Sequence, residues 1–204
     1  MPTNQLLIGP QTLSDTMLST SARGGKQGDA IVSELHGRYF EQTYRKNMFF
    51  AASQAVATTT VGLATTYTGL CLSNPIGSGI VCALNKANIA QSVIETAVDS
   101  FGLAVGFSGA TNVVHTAALT PQSSLIGSGV SPIGKVDTSA TLPVAPVYHS
   151  FISSTSSATT DVTNGFVDYE GSLVLLPGAF VIWASPAASV AGMWFAFQWE
   201  EIPL

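Results

Sequence analysis

Ionised side chains are what this sequence has least of: 9% of its 204 residues are Asp, Glu, Lys or Arg, against about 25% in an ordinary soluble domain. Cysteine is limited to Cys71 and Cys82, which excludes a disulfide scaffold. Glu/Lys heptads and a Gly triplet period are missing, so coiled coil and collagen are excluded too. What is there is apolar: 46% hydrophobic residues and a mean hydropathy of +0.36, too much for a disordered chain. The length suits one domain with an appendage, because an all-β core reaches roughly 200 to 250 residues before it divides.

The few charges are unevenly placed. Residues 1–46 hold Arg23, Lys26, Arg38, Arg45 and Lys46 against Asp15, Asp29, Glu34 and Glu41, a net of +1. The rest holds Lys86 and Lys135 against eight carboxylates, a net of −6. Affinity for a phosphate backbone comes mainly from cations displacing counterions, so nucleic acid is not an expected partner. Residues 171–199 carry no charge, yet Pro177-Gly178 and Ser185-Pro186 interrupt them. They divide into strand-sized pieces rather than the helix of about 20 residues that spans a bilayer, and no membrane partner is expected. MPTNQLLIGP has neither the basic start nor the apolar core of a signal peptide; synthesis in a cytoplasm is the expectation.

Residues 1–46 are Ser/Thr-rich, contain Gly24-Gly25 and Gly28, and show no long apolar period. They read as an extended N-terminal arm that cannot fold alone. Near its end Ser33 is placed to cap a short helix carrying Leu35, Tyr39 and Phe40, with an irregular arm as the alternative. Residues 47–204 read as a body of short strands separated by Gly, Pro, Asn and Ser. Strands are predicted near residues 56–63, 66–72, 80–86, 102–107, 112–118, 144–151, 166–169, 173–176, 180–184 and 192–200, with Ser/Thr/Gly/Pro loops over 120–141 and 153–164. One short helix is expected between them: Asn88 as cap, Gln91 three residues on, Ile89, Val93, Ala97 and Phe101 at four-residue steps, and Gly102 as stop. The Leu-rich run before Pro177-Gly178 and the Val/Ile run after it form a corner common in sandwiches. The fold class is therefore all-β, an antiparallel β-sandwich of jelly-roll type with an N-terminal arm.

Catalytic groups are scarce. Gly106-Phe-Ser108-Gly-Ala110 lacks the second Gly of a nucleophile elbow, so Ser108 reads as a turn residue. His36, His115 and His149 are isolated, without metal-ligand spacing beside them. The glycines around Lys26 do not complete a phosphate-binding loop. Asp161 and Asp168 are too sparse for a calcium loop, and Asp168, Glu170, Glu200 and Glu201 read as solvated strand ends. Cys71 and Cys82 flank a turn at Asn74–Gly79; the spacing admits a bond, while apolar neighbours and a reducing cytoplasm favour two buried thiols. The expectation is no catalytic residue, no metal and no cofactor.

A surface with so few charges is either covered by neutral polar residues or buried against neighbouring chains, where charge is depleted. Glu34-Leu-His-Gly-Arg-Tyr-Phe-Glu41, Asn47-Met-Phe-Phe-Ala-Ala52, Thr65-Thr-Tyr-Thr-Gly-Leu-Cys-Leu-Ser-Asn-Pro75 and the closing Trp199-Glu-Glu-Ile-Pro203 resemble a family of virion proteins of tailed bacteriophages. The resemblance implies a capsid cement or decoration protein: a β-sandwich, often a homotrimer, on the virion surface, clamping subunits of the major capsid protein. It carries over no site residue. On that reading Arg23, Lys26, Arg38, Arg45 and Lys46 are expected to meet acidic shell surface, and Tyr39, Phe40, Phe49 and Phe50 to serve as apolar anchors. One alternative is a trimeric receptor-binding or tail-associated protein using Trp183, Trp194 or Trp199 to stack on saccharides, although their apolar strands make them core candidates. Another is a hydrolase on the same scaffold, which requires His115 or His149 beside a nucleophile and a carboxylate.

Overall fold

The computed structural model describes residues 37–53, 63–92, 98–154, 164–187 and 192–204. The chain divides into two units, Met1–Phe40 and Glu41–Leu204. The one α-helix among the described residues is α1 (Phe40–Tyr44). It ends in a Schellman turn: the Asn47 amide donates to the Gln42 carbonyl and the Lys46 amide to that of Thr43, both at 3.0 Å. Lys46 occupies the left-handed position, φ 67°, usually given to glycine. The expected helix from Asn88 meets strands at both of its described ends, Asn88–Gln91 and Ser100–Phe101, and its middle, residues 93–97, lies outside the described residues.

Among the described residues eleven strands follow: β1 (Met48–Ala52), β2 (Thr66–Ser73), β3 (Ile80–Gln91), β4 (Ser100–Phe107), β5 (Val114–Leu119), β6 (Gln122–Ser123), β7 (Lys135–Thr141), β8 (Val147–Ser154), β9 (Asn164–Leu175), β10 (Ala179–Ala184) and β11 (Met193–Pro203). They build two antiparallel sheets, ordered β6-β1-β11-β3-β9 and β5-β7-β2-β10-β4-β8. The pairing is nested: β1 with β11, β2 with β10, β3 with β9, β4 with β8. Successive pairs fall in alternate sheets, which is the arrangement of a jelly roll. Strands β5, β6 and β7 are an insert between β4 and β8, and they widen both sheets at one side.

Several boundaries differ from the sequence reading. The expected strand at 56–63 lies outside the described residues except for Leu63. β1 and β7 went unpredicted; β7 and β6 occupy what reads as a loop over 120–141. The separate strands at 166–169 and 173–176 are one strand, β9, bulged where Glu170 and Gly171 take φ of 51° and 81°. At Pro177-Gly178 the expected turn is present, with Gly178 at φ 93°.

The sheets close on a core that alternation supplies. Leu70, Leu72, Leu103, Val181 and Trp183 from one sheet meet Phe49, Leu84, Ile89, Phe195, Phe197 and Trp199 from the other. Trp183 stacks on Phe195 at 5.5 Å between ring centres. The six-stranded sheet also buries its outer face, through a second cluster that includes Tyr67, Cys71, Phe180 and Ile182. Cys71 and Cys82 are therefore free thiols in opposite sheets, one in each cluster, not partners across a hairpin. Burial pushes both thiols up and keeps them neutral. Among the described residues no helix is long and apolar enough to cross a membrane.

Candidate functional site

The predicted contact residues separate on inspection. Arg23 and Lys26 lie outside the described residues. Arg38 is exposed, Tyr39 half-buried, and Phe40 is 41% exposed at the start of α1. Arg45 pairs with Glu41 one helical turn back, Nε to Oε2 at 3.4 Å with both side chains in solvent, a pair worth well under about 1 kcal/mol. Lys46 is exposed. Phe49 is a correction: only 3% exposed, it belongs to the core, paired in register with Trp199, and no external partner reaches it. Phe50 alternates to the outer face of the same strand and is half-buried.

Of the tryptophans, Trp183 and Trp199 are fully buried, as their apolar strands imply. Trp194 is 40% exposed on the outer face of β11. Phe166, 59% exposed, lies on the outer face of β9, with the Lys86 ammonium 5.8 Å from its ring centre.

Two carboxylates that sequence reasoning left to solvent or passed over are buried and bonded. Asp137 has no exposed surface, and its Oδ2 lies 2.6 Å from Nδ1 of His115 on the neighbouring strand β5. Its Oδ1 has no hydrogen-bond partner among the described residues. Burial raises the Asp137 carboxyl above its ordinary range, and the hydrogen bond and charge of His115 partly oppose this. Glu201, 8% exposed, accepts the backbone N–H of Ile133 at 2.9 Å, that of Gly134 at 2.8 Å and the indole N–H of Trp199 at 3.2 Å. It clamps the loop that leads into β7. The signal for Glu201 was present: alternation along β11 puts it on the same face as Trp199, with Glu200 on the other.

His115 also lines a cleft of about 270 Å³ with Ser73, Asn74, Asn112 and Lys135. A histidine on a buried carboxylate is part of a hydrolytic relay, but the relay needs a nucleophile on the far ring nitrogen. Among the described residues no hydroxyl or thiol bonds to His115; Ser73 Oγ instead donates to the Lys135 carbonyl at 3.4 Å. Ser108 is a turn residue as read, its Oγ accepting the Thr111 amide at 3.1 Å. Nδ1 of His149 lies 3.2 Å from Ser150 Oγ, and its ring meets the Tyr169 ring edge-on.

The insert is the most unusual surface. No Asp, Glu, Lys or Arg occurs from Ser100 to Gly134. β5 exposes its first five residues in succession, where a strand on a sandwich normally hides every second one. Val114 is 57% exposed, Ile126 77%, Ile133 43% and Val130 38%. Comparison with protein-family models, curated proteins and solved structures finds no match to this chain.

Proposed function

We propose that the chain is a non-enzymatic structural protein of a virus particle, a cement or decoration protein that sits on a tailed-bacteriophage capsid and bridges subunits of the major capsid protein. The observation that carries this reading is the insert. From Ser100 to Gly134 it carries no Asp, Glu, Lys or Arg, and this stretch, bordered by exposed Lys135, holds apolar groups outside the jelly-roll frame, while the buried carboxylates Asp137 and Glu201 turn inward to fix its position. Charge depletion over exposed apolar groups is the composition of a buried interface core, not of a solvated flank. The jelly roll itself hosts capsid, lectin and enzyme functions and decides nothing alone. The resemblance of residues 34–41, 47–52, 65–75 and 199–203 to virion proteins supports the same reading.

Function then comes from contact area. Each copy covers seams between shell subunits, so that internal pressure has to break many weak contacts together. The test is co-sedimentation of the purified chain with emptied, expanded phage shells. Saturable binding at a fixed number of copies per shell is the expected result; a chain left in the supernatant at all concentrations sinks the reading. Removing residues 1–46 is expected to leave a folded body that no longer sediments with shells.

A second reading, a receptor-binding or tail-associated protein that binds saccharides, draws on exposed Trp194 with Phe166 on the same outer sheet face. Counting copies in the source particle separates the two: hundreds for a cement protein, a few for a tail component.

A further inference from the structure

We propose that the cleft bordered by His115 and Lys135 binds a small polyhydroxylated carboxylic acid, of the sugar-acid class. Its volume, about 270 Å³, falls just below the roughly 300 to 1,000 Å³ of drug-sized sites, which suits a ligand of one ring. Ser73 and Lys135 place it on the six-stranded sheet, away from Trp194 and Phe166 on the other. The virion reading requires no such ligand, and the site stands apart from it.

The hydrogen-bonding groups of the cleft are a mixed set. Nδ1 of His115 is committed to Asp137 at 2.6 Å. With that carboxylate ionised the ring proton lies on Nδ1, and Nε2 keeps a lone pair that accepts from a hydroxyl. Oδ1 of Asn112 accepts the Ile76 amide at 2.7 Å, which leaves the Asn112 NH2 to donate. Asn74, 1% exposed, donates its NH2 to the carbonyls of Ile80 and Leu175 at 2.9 and 3.0 Å, and its Oδ1 has no donor among the described residues. Hydroxyl groups both donate and accept, so a polyol answers this set where an anion that only accepts does not.

Charge adds the acid. Lys135 is exposed at the cleft and is the one Lys or Arg in the sequence after Lys86. No Asp or Glu is among the described residues that line the cleft; Asp137 engages the His115 ring and has no exposed surface. The ammonium is therefore the group that a ligand carboxylate meets. A chain of net charge −5 does not collect anions at large, so an acid held here is held by this site.

NMR titration of the full-length chain tests this with glucuronate, against glucose, which has the hydroxyls without the carboxylate, and acetate, which has the reverse. Glucuronate is expected to shift the amides of Asn74, Asn112 and Lys135 saturably and to bind at least about tenfold more tightly than either comparator. Lys135→Met is expected to reduce glucuronate to the level of glucose with unchanged thermal unfolding, since the side chain lies in solvent, and Lys86→Met to leave binding as in wild type. Glucuronate that leaves those amides unmoved overturns the proposal. Acetate or glucose that binds as well as glucuronate also overturns it, because half of the recognition is then idle. The methyl glycoside of glucuronate separates two sources of the same chemistry: retained binding assigns the site to the end of an acidic polysaccharide, and lost binding assigns it to the free acid.

Discussion

Nδ1 of His115 and Oδ2 of Asp137 lie 2.6 Å apart across the β5–β7 ladder, and this is the only hydrogen bond the buried carboxylate makes among the described residues. The pair joins a half-exposed ring on the insert to a carboxylate with no exposed surface. It fastens a strand that buries almost nothing of its own.

The pH dependence of stability follows from Asp137. Its carboxyl is raised in the folded protein, so the fold binds that proton more tightly than the unfolded chain does. The ionised group opposes folding above the raised value, and this penalty is relieved as pH falls toward the unfolded value of about 4. Urea unfolding of wild type and Asp137→Asn from pH 7 to pH 4 is expected to show wild type gaining relative to the variant. A difference that does not change with pH contradicts the account.

Glu201→Gln leaves the backbone N–H groups of Ile133 and Gly134 and the Trp199 indole N–H with one acceptor oxygen, and turns an NH2 donor toward a donor on the other side. The expected loss is about 2 to 4 kcal/mol in urea unfolding, because hydrogen bonds to a charged acceptor are the costly ones to remove. Backbone amide exchange at Ile133 and Gly134 should rise more than exchange in β10.

Lys46 sits in a backbone region where its Cβ is crowded. Lys46→Gly is expected to stabilise the chain by up to about 1 kcal/mol, read as a higher urea midpoint with an unchanged slope. A drop in the midpoint means that the lysine side chain has a role beyond the helix end.

Phe49 and Phe40 separate core from surface. Phe49→Ala is expected to cost about 3 to 5 kcal/mol, because it empties a site beside Trp199. Phe40→Ala changes unfolding by no more than about 0.5 kcal/mol and is expected to show its effect in shell binding.

Much of the sandwich was legible where one rule of local chemistry acted alone. Pro177-Gly178 forces a turn, and the Val/Ile/Trp run after it has one way to be buried. The failure at Asn88 has a specific cause. Ile89, Val93, Ala97 and Phe101 recur at four-residue intervals, and four is a multiple of the strand period as well as near the helical one. Exposed Asn88 between buried Ala87 and Ile89 shows the shorter period winning. β7 was hidden because Asp137 and its Ser/Thr neighbours look like a loop until His115 is brought against them. No spacing rule announces a contact between residues from different strands; register creates it. Phe49 was misjudged with Phe50 because adjacent residues on a strand face opposite ways, and reading them as one apolar pair ignored this.

The nested pairing sets an order of assembly. β1 has its long partner in β11, about 150 residues further along the chain, so the outermost ladder of the roll cannot close while the ribosome still holds β11. Nascent chains must wait with Met48, Phe49 and Ala51 uncovered until β11 has emerged, a period in which a holding chaperone has most to offer.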